Sequence, residues 1–426
     1  MTSNSSSAIT AASWYRAAAA LALVGVLGCP RVEVGGVAGL PVAESAEPLV
    51  RVGIGLPQAE LSIGGGAGLL VTGPDGGGMT VIPAGSSGQV MGNGTTVRAR
   101  VGGLSTPAGT VLTVRSVDSL GYVRINGRDY RGSLMVSSTP GGVLAVNLVS
   151  LEDYVAGVVN AEMGRRPAGD SQAVQAQAVI SRTVAMRALG RYRVRGYDVV
   201  STISDQAYGG VMTETGAGWD AVRATRGEVL TFGGGVIEAF FHSTCGGRTE
   251  AVNEVFSGAA QPYLQSVADR SPNGDVYCAL SPRYRWREEW TGDQLARVVR
   301  ENSRFLGVAA ETIGFPGDLQ IGGRSPSGRV SDLVMVAAGR IVPIVGQQVI
   351  RQVFRTAEGG WLRSAQFSIQ TSRGGGRIVR LAVDGGGSGH GVGMCQWGAV
   401  GRARSGANYQ QILSAYFPGT ELRRLY

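Results

Sequence analysis

Short apolar or alternating runs dominate the early part of the chain, at 50–54, 69–71, 111–114 and 122–125. That period of two is the pattern of half-buried strands. The last run meets Asn126-Gly127 and continues into 128–132, which predicts a two-residue hairpin, because such a turn needs positive φ at both central positions. The period changes at Ser150, which predicts a helix cap with Asp153 at the capping-box position. Leu151, Tyr154, Val155 and Val158 then form an apolar stripe at helical spacing, and Gly164 stops it. Glu162 stands four residues after Val158 and seven after Val155, on that same stripe. A carboxyl so placed is partly desolvated, which raises its pKa and suits a general acid. A frayed last turn would instead point it into water.

A second helix follows Pro167, capped by Asp170 or Ser171 and running to Leu189, with Gly190 as its stop. Ala173, Ala176, Ala178, Ala185 and Ala188 let neighbours pack close. Its polar members Gln177 and Arg182 read either as part of a packed helix or as braces for the Glu162 loop. Beyond Tyr197 strand patterns return at 229–232, 236–241, 333–336, 341–344 and 367–369, with a polar loop at 204–210 and a helix at 409–416. No heptad, fixed-period repeat or membrane-length span is apparent. The fold class expected is α+β, mostly β-strands with a few helices, in one large domain.

Composition narrows the chemistry. The 426 residues could fill two or three domains or one elaborated domain, and the 68 glycines favour turns and strands over helices. All 39 basic residues are arginine. The absence of lysine excludes Schiff-base and P-loop lysine chemistry. A formal charge of +8 favours an anionic partner, yet no arginine-and-aromatic cluster of the kind that reads bases is present, so nucleic acid is not expected.

The amino terminus reads as a targeting segment. Arg16 precedes an apolar run over 17–27, too short to span a bilayer. Val26-Leu27-Gly28-Cys29 looks like a lipoprotein cleavage box with Cys29 lipidated; an ordinary secretory signal with an incidental cysteine is the other reading. Either exports the protein. The division expected is a signal peptide over 1–28, a tether over 29–47, a β-rich part over 48–149 and a catalytic part over 150–426.

The chain has only two histidines, each in a glycine-rich motif with a cysteine close behind: Phe241-His242-Ser243-Thr244-Cys245-Gly246-Gly247 and Gly389-His390-Gly391-Val392-Gly393-Met394-Cys395-Gln396-Trp397-Gly398. Besides Cys29, the cysteines are Cys245, Cys278 and Cys395. One disulfide would leave a thiol over. A tetrahedral zinc site could use all three with His242 or His390 as fourth ligand. Both alternatives stay open.

Ordered blocks along 48–426 resemble the SpoIID/LytB family. They are residues 152–163, ending in Ala161-Glu162-Met163; Ala176-Gln177-Ala178-Val179 with Arg182-Thr183; Ser204-Asp205-Gln206-Ala207-Tyr208-Gly209-Gly210; both histidine motifs; Pro262-Tyr263-Leu264; Ser281-Pro282; and Tyr416-Phe417-Pro418-Gly419. The resemblance implies a peptidoglycan lytic transglycosylase acting on glycan strands that lack stem peptides, with Glu162 as catalytic acid and no cofactor required. It also implies substrate contacts from Gln177, Arg182, His242, Ser243, His390 and Gln396, with Tyr208 and Trp397 as stacking surfaces for sugar rings. The LytB branch implies a rival: a non-catalytic, glycan-binding enhancer of a cell-wall amidase. In either case the Cys29 box would hold the protein at a membrane through its amino-terminal lipid.

Overall fold

The computed structural model describes residues 46–426 apart from 75–77 and 102; the expected signal peptide and the lipid site at Cys29 lie outside the described residues. Two sheets wrap the first core. One has seven strands in the order Val199–Val200, Leu49–Gln58, Gly142–Ser150, Ser133–Thr139, Val111–Ser116, Leu69–Thr72 and Met79–Ile82. The other has six, with Glu60–Gly64 and Ser87–Gly92 at its centre. Inward residues alternate along several of the strands, as in Val111–Ser116, where Leu112 and Val114 are fully buried. The hairpin forms as the turn chemistry requires: Val123–Ile125 pairs with Arg128–Tyr130 around Asn126 (φ 46°) and Gly127 (φ 82°).

Strand Gly142–Ser150 runs straight into helix α1, Leu151–Met163. Ser150 caps it by accepting from the Asp153 amide, and Gly164 ends it at φ 68°. Helix α2, Ser171–Ala188, lies between two cores. Val174, Ala178 and Ala185 belong to the first, whereas Ala173, Ala176, Val179 and Ile180 belong to a second around Leu230, Val392, Met394 and Phe417. Its alanines are thereby explained: a helix packed on both sides has no room for larger groups. Helix α3, Gly216–Ala224, follows on the first core.

A third core has its own elements. It is built from two three-stranded sheets, one centred on Arg377–Gly386 and one on Val330–Ala337, with helices α4, Gly292–Glu301, and α5, Gln347–Val353. This unit interrupts the second core's sequence, which resumes at Val392 and continues through α6, Gln396–Arg404, and α7, Tyr409–Tyr416. Among the described residues no helix is long and apolar enough to cross a membrane.

The strand expected over 236–241 is not continuous. Only Gly235–Val236 and Phe241–His242 are paired, the first to Glu228–Phe232 and the second to Met394–Cys395. The segment changes partner midway, and that exchange delivers His242 to the second histidine motif.

Candidate active site

Glu162 sits in the last turn of α1, half-buried, with the fully buried Val155 and Val158 below it on the stripe. Burial raises its carboxyl pKa, opposed in part by the Ala207 amide, which donates to Oε1 at 2.6 Å. The negative end of the helix dipole acts in the same direction as burial. Among the described residues, neither an arginine nor a second carboxylate figures in the balance. Glu162 is therefore a carboxyl held toward its protonated form.

The loop that supplies Ala207 is pinned from beneath. Gln206 is fully buried and donates to the Tyr154 hydroxyl and the Ser181 carbonyl. On the opposite side, Gln396 donates weakly to the Glu162 carbonyl and to Gln177 Oε1, each at 3.4 Å. Gln396 follows Cys395, whose backbone pairs with His242. One continuous set of contacts thus links Glu162, Gln177, Gln396 and both histidine motifs.

The histidines are held as opposites. His242 Nδ1 donates to the Val392 carbonyl, whereas His390 Nδ1 accepts from the Val392 amide, both at 3.1 Å. The first contact places a proton on Nδ1 and a lone pair on Nε2; the second reverses the tautomer. The rings lie 5.6 Å apart. Burial lowers His390 to about 3 and holds His242 well below its usual value. Both are neutral, and His242 Nε2 is buried with no partner among the described residues. Its lone pair is left without a donor there. Gly393 makes the close crossing feasible: at φ 71°, an added Cβ would stand 2.1 Å from the Phe240 carbonyl oxygen.

Several residues expected to touch sugar are placed elsewhere. Tyr208 is packed in the first core, 5.1 Å from the Tyr154 ring, with its hydroxyl donating to Asn147 at 2.8 Å. It cannot offer a stacking face. Arg182 is fully buried and bound to Glu152 through two contacts, so it cross-links α1 and α2 and does not meet substrate. Gln177 is likewise fully buried and acts on Glu162 only through Gln396. Trp397 is half-buried, with Arg166 over its ring at 4.3 Å; a cation–π contact already covers one face. Ser243 remains half-buried beside Thr244. The Tyr208→Phe variant is expected to lose about 1–3 kcal/mol of stability, because Asn147 Oδ1 is left buried without its donor. Denaturant melts alongside a glycan pull-down check this; normal stability with lost binding would restore the sugar-contact role.

Cys245, Cys278 and Cys395 do converge, and all three are buried and unbridged, with Cys245 and Cys278 sulfurs 3.5 Å apart. The fourth ligand-bearing side chain beside them is Asp269, not a histidine; both imidazoles are turned to Val392 instead. Sequence reasoning also missed Glu250. It is fully buried and accepts from Ser327 and Gln347 of the third unit at 2.7 and 2.8 Å. Arg329 of that unit donates to the Cys245 carbonyl at 2.8 Å. No local pattern marks either residue, since each partner lies more than 70 positions away.

A family model described as Stage II sporulation protein matches residues 139–232, which hold α1, α2 and the Ala207 loop. A second, described as a domain of unknown function (DUF8618), matches 278–393, the third unit with its flanks. Stage II sporulation protein D of Bacillus subtilis is 31% identical, over 65% of this chain and 76% of its own length. An uncharacterized protein of Brachyspira hyodysenteriae is 32% identical, over 68% and 71%. The amidase enhancer of Bacillus subtilis is 28% identical over 62% of this chain, but only 40% of that longer protein is covered. The chain belongs to the SpoIID family.

Proposed function

We propose that the protein is a peptidoglycan lytic transglycosylase that cleaves glycan strands lacking stem peptides, with Glu162 as its acid and base. The observation that carries this reading is the half-buried Glu162 carboxyl, raised by burial and held by the Ala207 amide, with no partner carboxylate among the described residues. Ordinary glycosidases divide the work between two carboxyl groups. Here one suffices. Protonated Glu162 gives its proton to the glycosidic oxygen as the bond to C1 breaks. The resulting carboxylate takes a proton from the same sugar's C6 hydroxyl, whose oxygen closes on C1. The product is a 1,6-anhydro muramyl end, water is not consumed, and Glu162 ends protonated as it began. The half-buried His390 and Ser243 would orient the sugar, with the buried His242 and Gln396 bracing the site behind them, and arginines near the site would draw the lactyl carboxylates.

Digestion in heavy-oxygen water tests the chemistry: the muramyl product should carry none of the label, and labelled reducing ends would replace this reading with hydrolysis. The pH dependence follows from the raised carboxyl. The active, protonated form is present below the raised pKa and is lost as pH rises through it. The alkaline limb of kcat/KM should therefore fall above the ordinary carboxylate range of about 4.3. No second inflection is expected near about 6.5, since both histidines stay neutral there. A limb at the ordinary carboxylate position would contradict the assignment.

The amidase enhancer relative supports a second reading, in which the chain binds glycan and stimulates a separate cell-wall amidase. Export and a lipid anchor at Cys29 would put either activity at the cell wall.

A further inference from the structure

We infer that Cys245, Cys278, Cys395 and Asp269 form a closed structural zinc site, independent of the reading of Glu162. The sulfurs and a carboxylate oxygen of these four residues all lie within 4.8 Å of one another, and all four residues are buried. A zinc ion with bonds of about 2.3 Å to sulfur needs sulfur–sulfur edges of roughly 3.8 Å. The cluster is near that size, and Cys245 and Cys278 at 3.5 Å need only a small adjustment.

Backbone amides are aimed at two of the three sulfurs. The Cys395 sulfur accepts backbone amides from Cys245 at 3.1 Å and from Gly398 at 3.2 Å. The Cys245 sulfur accepts the Gly247 amide at 3.3 Å. Three amides aimed at sulfur favour the deprotonated ligand, as packing of neutral thiols would not require. Asp269 is divided between two tasks. Its Oδ1 accepts from Tyr416 at 2.6 Å and from Arg402 at 3.3 Å, while its Oδ2 faces the Cys245 sulfur at 3.2 Å. An outer shell of this kind orients a ligating carboxylate. Three thiolates, a carboxylate and a divalent ion would sum to a net charge of about −2, opposed by Arg402 on Asp269 and by Arg329 on the Cys245 carbonyl.

Four protein ligands leave no open position, which marks a structural ion, not a catalytic one. Its placement has a consequence. Cys245 belongs to the His242 motif, Cys395 caps α6 ahead of Gln396, and Asp269 and Cys278 lie on the connection into the third unit. The ion would tie together the segments that hold the histidines and Gln396.

The test is elemental analysis of the purified full chain, with cobalt exchange. One zinc per chain is expected, and cobalt should bring the thiolate charge-transfer band and strong visible bands of a tetrahedral site. Cys278→Ser should lose the metal. Asp269→Cys should keep it with a stronger charge-transfer band, which separates ligation from mere folding. A cooperatively unfolding wild-type chain that is metal-free after purification with zinc would overturn the inference. So would a denatured mass short of two hydrogens, showing a disulfide, or iron in place of zinc.

Discussion

Glu162→Gln should lower glycan cleavage by roughly 100- to 10,000-fold, the range that a positioned acid contributes, while leaving the chain bound to cell wall. The amide is nearly isosteric and can still accept the Ala207 hydrogen bond made at 2.6 Å, so the loop should stay in place. It cannot release a proton at any working pH. Burial of a neutral amide also costs less than burial of a charge, so thermal stability should be unchanged or slightly higher. Side-by-side digestion and pelleting assays separate the effects. Turnover equal to wild type would remove Glu162 as the acid, and joint loss of cleavage and pelleting would make it a binding residue.

The largest loss of stability is expected for Arg182→Met. The guanidinium donates to Glu152 at 3.0 and 2.7 Å and to the Glu228 carbonyl at 3.0 Å. Glu152 also receives the Gly227 amide and the Tyr426 hydroxyl, which ties the carboxyl terminus to α1. Both partners are almost completely buried. Removing the cation alone strands a buried carboxylate, at a cost of about 3–5 kcal/mol. The double variant Glu152→Leu with Arg182→Met should recover much of that, because apolar replacement of both members of a buried pair is often neutral. Chemical denaturation of the three variants gives the cycle. A stable Arg182→Met chain that fails to bind glycan would return Arg182 to the substrate.

What could be read from sequence depended on how locally each feature is determined. The Asn126-Gly127 turn and the Ser150 cap were legible because a few adjacent residues decide them. Glu162 was legible as a position on a stripe, but only the burial of Val155 and Val158 and the Ala207 contact decide between a desolvated carboxyl and a frayed end. Tyr208 misled for a physical reason. The resemblance implies a stacking face for sugar there, yet Gly157 on α1 leaves the space this ring enters; an added Cβ there would stand 2.6 Å from it. Asp269 carried no signal, because it reaches Cys245 across 24 residues and Tyr416 across 147. The strand Arg377–Gly386 was equally silent, since it is the central strand of its sheet and its burial does not alternate.

The two histidines, conspicuous in the sequence, are neutral and turned to the backbone of Val392, while burial raises the Glu162 carboxyl. The proposed reaction has one diagnostic product. Mass spectrometry of stem-peptide-free glycan digested by the wild-type chain should reveal 1,6-anhydro muramyl ends that accumulate with time. Strands left intact by a chain that still pellets with them would contradict the claim and leave the amidase-enhancing role.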